Sequence, residues 1–333
     1  MRTLKWHFSL LCSLAAIGMS SAMSGIAQAQ SRADNYPAKP VSIVVGVAPG
    51  GPSDADTRLW SQPLAEALGR PFVIDFKPGA GGIIGSQYVA RAAPDGYTML
   101  YITGGFTTAP AFHDKLPFDP VRDFAPLSLL SKRGTLLVVT PSLPVRTFAE
   151  YLAYAKAHPE ELNWGTSGVG STFHMTGAWL AGLTGARVTF IHYKGNAQNF
   201  IDLTAGRVQV SPMSLFAALP FIKAGKVRPI ALLSAQRSSY LPDLATVAEQ
   251  GVPGFDYFTW QGFVLPTGTP AAIIARLNAP LATYAMHPDA IARAAKDGNE
   301  LIGSPPEVLG RIIADEVGRW KKVVKENNIK PEE

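Results

Sequence analysis

The sequence predicts an α/β protein made of two doubly wound domains, and three observations point there. A β-branched run, Val41–Val45, is apolar at almost every position, as suits a strand covered by helices on both faces. It breaks into the turn Pro49-Gly50-Gly51-Pro52-Ser53-Asp54, and an amphipathic helical pattern starts at once. The alternation of strand, turn and helix then recurs along the chain in two separate blocks.

In the first block Leu59, Trp60, Leu64, Ala67 and Leu68 mark one helical face, Gly69 stops it, and Pro63 should kink it. Ser53 is the expected N-cap. Pro71–Phe76 reads as a second strand, the Gly-rich turn Lys77–Gly82 leads into a helix over Ile83–Ala92, and Tyr97–Thr103 is a third strand ending in Gly104-Gly105. Phe124–Leu130 is expected to lead away from that sheet. The second block places strands at Leu136–Thr140, Leu162–Thr166, Val188–His192, Val208–Ser211 and Pro229–Ser234. Between them lie a helix opened by the capping box Thr147…Glu150, a helix ending at Gly185, a short helix to Leu203 and another over Leu215–Ala224. Thr246 and Glu249 repeat the capping-box spacing. A strand over Thr259–Leu265 makes the crossover back, and helices opening at Thr269-Pro270 and Ser304-Pro305-Pro306 complete the first domain. The expected boundaries are residues 30–132 plus 262–333 for domain one and 133–261 for domain two, with a ligand cleft between them.

Residues 1–29 read as a signal peptide. Arg2 and Lys5 precede an apolar stretch, and Ala27-Gln28-Ala29 is a small-x-small cleavage site, so the exported chain starts near Gln30. Cys12 is the single cysteine and falls inside that leader, which excludes disulfides, thiolate metal sites and cysteine catalysis from the exported protein. The formal charge is +5, two of those charges belong to Arg2 and Lys5, and the remaining basic residues are scattered. Nucleic-acid binding is not expected.

Each parallel strand should end at a turn that leaves N–H groups at a helix mouth, which is where an anion sits in open α/β sheets. Gly79-Ala80-Gly81-Gly82-Ile83-Ile84-Gly85 approaches a dinucleotide fingerprint but is off by one residue, and the Pro49–Ser53 turn lacks the Gly-Lys-Ser/Thr of a phosphate loop. No cofactor is expected. Gly165-Thr166-Ser167-Gly168-Val169 approaches a nucleophile elbow, with Val169 in place of the last glycine and His174 seven residues on from Ser167. A hydrolase using Ser167 and His174 is the enzymatic alternative. His113, His158, His174, His192 and His287 show no metal-ligand spacing, and no acid–base pair stands out.

Several ordered motifs carry a family resemblance: Pro49-Gly50-Gly51-Pro52-Ser53-Asp54, Lys77-Pro78-Gly79-Ala80-Gly81-Gly82, Ala93-Pro94-Asp95-Gly96-Tyr97-Thr98 and Leu116-Pro117-Phe118-Asp119-Pro120. They continue with Asp123-Phe124-Ala125-Pro126, Tyr193-Lys194-Gly195, Ile222-Lys223-Ala224-Gly225-Lys226 and Trp260-x-Gly262. From Tyr36 to about Ile329 the chain resembles the Bug family, the TctC-type periplasmic receptors of tripartite tricarboxylate transporters. The resemblance implies a two-lobed clamshell of the type II periplasmic-binding-protein kind. It would be a monomer without enzymatic activity, holding a small carboxylate for integral-membrane transporter subunits or for a sensor kinase. Pro49, Gly50, Gly51, Ser53, Thr103 and Gly104 would then form the cradle of the first domain. Ser167, Gly168, Gly170, Ser171 and His174 would answer from the second, with Tyr193 beside them.

Relatives commonly carry Gly-x-Val-Asp-Val-Met-Phe-Asp where this chain reads Gly206-Arg207-Val208-Gln209-Val210-Ser211-Pro212-Met213. Both acids are lost, at Gln209 and Met213. If the second acid receives a ligand ammonium group, this chain is expected to take a carboxylate without one, aromatic, branched or dicarboxylic. Phe106, Tyr193, Phe216 and Trp260 would supply apolar walls, and Met213 would help choose the ligand.

Overall fold

A computed structural model describes residues 35–113, 115–296 and 298–329. The leader and its cleavage site lie outside them. The first sheet contains β1 (Val41–Val45), β2 (Phe72–Phe76), β3 (Thr98–Thr103), β4 (Phe124–Arg133), β10 (Thr259–Pro266) and β11 (Glu300–Leu301), in the order β11-β4-β10-β3-β1-β2. The second contains β5 (Thr135–Val139), β6 (Asn163–Thr166), β7 (Thr189–His192), β8 (Val210–Ser214) and β9 (Arg228–Leu232), in the order β7-β6-β8-β5-β9. Among the described helices, α1 (Pro52–Leu68), α2 (Ile83–Ala90) and α3 (Gly104–Phe112) follow the first three strands. In the second lobe come α4 (Phe148–Ala157), α5 (Thr172–Thr184), α6 (Asn196–Thr204) and α7 (Leu215–Lys223). The C-terminal part adds α8 (Ala271–Ala285), α9 (Pro288–Ala295) and α10 (Pro306–Glu326).

The protein is α/β and two-lobed, as the sequence predicts, but neither sheet is wholly parallel. β1 runs parallel to β2 and β3, whereas β10 is antiparallel to both β3 and β4. The reason is the crossover. β4 carries the chain out to the second lobe and β10 brings it back, so two adjacent connecting strands must run in opposite directions. Phe124–Leu130 therefore does not leave the first sheet; it forms most of β4. In the second sheet β6 is parallel to β7 and β8, and β5 is antiparallel to β8 and β9.

Local signals decide most helix ends. Thr147 Oγ1 accepts from the Glu150 N–H at 3.1 Å, the predicted cap of α4. Thr246 and Glu249 make both reciprocal bonds of a capping box, at 3.1 and 2.7 Å, around a turn that does not continue as a helix. Ser53 is not the cap of α1. Gly51 holds that place, and the helix then runs on through Pro63. In the Lys77–Gly82 turn Gly79, Gly81 and Gly82 take positive φ of 133°, 64° and 97°, and Gly46 is needed opposite them for packing, since a Cβ there would lie 2.9 Å from the Gly82 Cα.

One element belongs to both lobes. Leu309, Ile313 and Val317 of α10 are buried against first-lobe residues such as Val44 and Ile102, while Trp320 and Val323 join the second-lobe core around Trp164 and Met175. Trp320 also meets Trp179 of α5 edge-on, with ring centroids 5.9 Å apart.

Candidate ligand-binding cleft

A cavity of about 700 Å³ lies between the lobes. Five helices present their first residues to it: Pro52 of α1, Gly104 and Gly105 of α3, Thr172 and Phe173 of α5, Asn196 of α6, and Phe216 and Ala217 of α7. Four of them, α1, α3, α6 and α7, have N-cap residues whose side chains make no capping bond: Gly51, Thr103, Gly195 and Ser214. First-turn N–H groups have few partners within the helix, so these ends offer the positive pole of the helix dipole and donors to the cavity, except that Pro52 has no N–H and the Leu215 N–H donates to the Gly134 carbonyl at 3.0 Å. The exception is α5, where Ser171 Oγ accepts from the His174 N–H at 3.3 Å. The lobes approach closely at this rim. A Cβ on Gly104 would lie 2.8 Å from the Thr172 Cγ2, and one on Gly170 would lie 3.1 Å from the Phe112 ring.

Of the residues singled out in the sequence, Thr103, Gly104 and Ser167 line the cavity, as do Phe216 and Trp260. Pro49 and Gly50 are exposed in the turn just before Pro52, with the half-buried Gly51. Ser53 backs onto a recess of about 60 Å³ shared with Thr103 and Phe106. The turn holds its shape through Asp54, which accepts from the Gly50 N–H at 2.9 Å and pairs with Arg58 at 2.7 Å. That backbone bond and then Arg58 lower the Asp54 pKa. Gly168, Gly170 and Ser171 form the loop behind Ser167. Gly170 spends its N–H on His174 Nδ1, 3.1 Å away.

Four expected residues lie elsewhere, and the first, Phe106, is buried in the first-lobe core against Phe118 and Phe124. His174 turns its ring away from the cavity into a separate recess of about 400 Å³, against Phe190 and His192 at centroid distances of 4.8 and 4.6 Å. Burial, and then His192, push its pKa down to about 4. The hydrolase pairing of Ser167 with His174 is not assembled. Tyr193 is outside the cavity lining and donates its hydroxyl to Asp202 at 2.8 Å. Met213 is fully buried in the second-lobe core, in register with Leu136 on β5. Alternation along β8 decides this: Ser214, the next residue, reaches the cavity, and Met213 points the other way.

Apart from Trp260, the floor of the cavity, next to the crossover strands, comes from residues the sequence did not single out as ligand contacts. Arg133, at the end of β4, pairs with the buried Asp56 at 2.7 Å. Asp56 also accepts from the Tyr101 hydroxyl at 3.1 Å. With its amide oriented to satisfy both neighbours, Gln261 accepts from Arg133 at 2.8 Å and donates to Ser131 at 2.6 Å. Glu316 of α10 also lines the cavity and is only 8% exposed. Its Oε1 accepts from the Trp260 indole at 3.0 Å. Its Oε2 lies 2.6 Å from Thr107 Oγ1, which lies 2.8 Å from the Gly104 carbonyl oxygen. One hydroxyl proton cannot serve both oxygens. Every bond is made if Glu316 keeps its own proton and gives it to Thr107, which in turn donates to Gly104. Burial acts in the same direction and raises the Glu316 pKa. A signal for this residue exists in the sequence: position 316 falls three after Ile313 and four before Trp320, on the apolar stripe of the helix.

The family model described as "Tripartite tricarboxylate transporter family receptor" matches residues 57–329. The chain belongs to this receptor family. Protein BugT of Bordetella pertussis, another relative, is 34% identical over 321 residues, covering 95% of this chain and 98% of BugT. A Rhodopseudomonas palustris protein, MatC, solved with bound malate, is 32% identical with a TM-score of 0.71, over 87% of this chain and 100% of its own. An R. palustris structure with adipate is 36% identical with a TM-score of 0.75, over 89% and 100%. The receptor family is one of periplasmic solute-binding proteins.

Proposed function

We propose that this receptor captures a small carboxylate between its lobes, in the periplasm, and hands it to integral-membrane subunits of a tripartite transporter. The observation that carries this is the convergence of uncapped helix N-termini from both lobes on one cavity, beside Arg133. Such ends bind anions without needing a charged side chain for each oxygen. The adipate and malate held by two relatives of known structure support the same ligand chemistry. An ammonium group would find no counter-charge here. Glu316 is the single carboxylate residue of the cavity lining, and burial raises its pKa and disfavours its charged form, while Met213 and Gln209 carry no charge. The ligand is therefore a carboxylate without a cationic group.

A thermal-shift screen of mono-, di- and aromatic carboxylates against amino acids tests this. A ligand at ~100 times its Kd adds about 2.7 kcal/mol of stability. Stabilisation by carboxylates and none by aspartate or glutamate is expected. Silence across all carboxylates overturns the reading.

A further inference from the structure

The loop from Ser167 to Ser171 has a front and a back. Ser167, and then Thr172 and Phe173 at the start of α5, line the interlobe cavity. Val169 instead lines the separate recess behind the loop, together with His174, Phe190 and His192. Gly168 and Gly170 take φ of 130° and 72°, so the chain here has little stiffness of its own. What holds it comes from the back. Gly170 donates its N–H to His174 Nδ1 at 3.1 Å. Gly168 donates its N–H to Thr166 Oγ1 at 3.3 Å, and that oxygen lies 2.8 Å from His192 Nδ1. The two imidazoles meet edge-on, with centroids 4.6 Å apart. On its other flank Gly170 faces the Phe112 ring of the first lobe, so closely that a Cβ would lie 3.1 Å away. Accepting from an N–H requires a bare Nδ1, so His174 is neutral with its proton on Nε2.

We infer that His174 is a positioning residue of the solute site: by holding the Gly170 N–H from behind, its Nδ1 sets the loop that carries Ser167 to the cavity and Gly170 to the opposite lobe. The inference rests on the carboxylate reading of the interlobe cavity. The His174 ring faces the recess, so it acts through the loop and not on the solute. A loop that is already fixed does not have to be ordered when the solute arrives, which lowers the cost of binding. Without the acceptor the loop takes other arrangements, and the apparent affinity falls by the fraction of molecules that still present it. A histidine that merely filled space would act through its ring and not through one nitrogen. Packing against Phe190 and His192 can therefore be separated from the bond to Gly170 by substitution.

His174→Phe keeps a ring for Phe190 and His192 but offers no acceptor, His174→Leu removes both, and His174→Asn places an amide oxygen where Nδ1 was. Hydrogen exchange at the Gly170 amide of the unliganded protein reads the bond. Isothermal titration with adipate, malate, benzoate and any acid the thermal-shift screen selects reads the site. Both use the whole exported protein. In the Phe and Leu variants the Gly170 amide should exchange ~10-fold faster and the Kd should rise ~10-fold, the factor that one intramolecular hydrogen bond supports. The Asn variant should stay within about threefold of the wild type on both counts. Each variant's unliganded unfolding curve reports separately on its fold, and the Leu variant decides where the larger Phe ring is not accommodated. Unchanged Gly170 exchange, an unmoved Kd, or a loss as large in the Asn variant overturns the positioning role while leaving carboxylate capture standing. Binding of none of these acids by the wild type, together with a silent carboxylate screen, overturns both.

Discussion

The rim and the floor of the cleft are built from different materials. At the rim the groups are backbone N–H donors at helix ends, set on exposed turns such as Pro49–Gly50 and shaped by glycines that let the lobes close to contact. On the floor they are buried side chains, Glu316, Trp260, Tyr257 and Trp320, fixed by the crossover strands and by α10. A backbone donor is the same whatever residue carries it, so the rim recognises a charge. Side chains differ, so the floor can recognise a molecule. The contrast also divides stability, because the floor lies within the cores and the rim does not.

The sharpest way to break the contrast is to empty the floor. Trp320→Ala removes a fully buried side chain shared by helix and second-lobe core, and should cost about 3–5 kcal/mol in urea denaturation. A loss below 1 kcal/mol would mean the floor is not structural. Glu316 gives a finer cut. Glu316→Ala strands the Trp260 indole and should cost about 1–3 kcal/mol, whereas Glu316→Gln keeps an acceptor for Trp260 and a donor for Thr107 and should cost far less. The raised pKa fixes the sign of its pH effect: the folded protein holds a proton that the unfolded chain releases. Stability therefore falls as pH climbs above the ordinary glutamate range through the raised value, and Glu316→Gln should gain on the wild type over that interval.

Behind the second-lobe rim, His174 works with the opposite sign. It is neutral in the fold down to about pH 4, while an unfolded histidine takes a proton below about 6.5. Its contribution is constant above pH 6.5 and falls on acidification, by up to about 1.4 kcal/mol per pH unit. His174→Asn should flatten that acid limb of the denaturation midpoint. The smallest effect belongs to the rim itself. Asp54→Ala frees the exposed Gly50 N–H and the exposed Arg58 side chain, which water can satisfy, and should move the urea midpoint less than any of the substitutions above. A larger loss there would erase the distinction between the two walls.

The same contrast governs what could be read from the chain alone. Thr103, Gly104 and Ser167 were legible because they stand where a strand breaks into a Gly-rich turn, a feature carried by adjacent residues. Glu316 was hidden because it meets Thr107 from 209 positions away, and only the fold brings α3 and α10 together. Arg133 and Gln261 meet across the crossover in the same way. β4 was misread because Pro126, Ser128 and Ser131 interrupt its apolar pattern, and the partner that makes it a strand, β10, lies more than a hundred residues later. Met213 was placed on the wrong side of β8 by one residue, the smallest error that reverses a side chain in a strand.

The edge-on pair of Trp320 and Trp179 has an optical consequence. Trp320 borders the cavity, and Trp179 lies beneath the Arg319 guanidinium, 4.5 Å from its ring centroid, so two indoles in unlike surroundings stand within contact of each other. A solute arriving at Trp320 alters the polarity around one of the two rings, giving the receptor an intrinsic fluorescent reporter of occupancy. Titrating ligand while following tryptophan emission should trace saturation without any label, and Trp320→Phe should remove the part of the signal that does not come from Trp260, the other indole of the cavity lining.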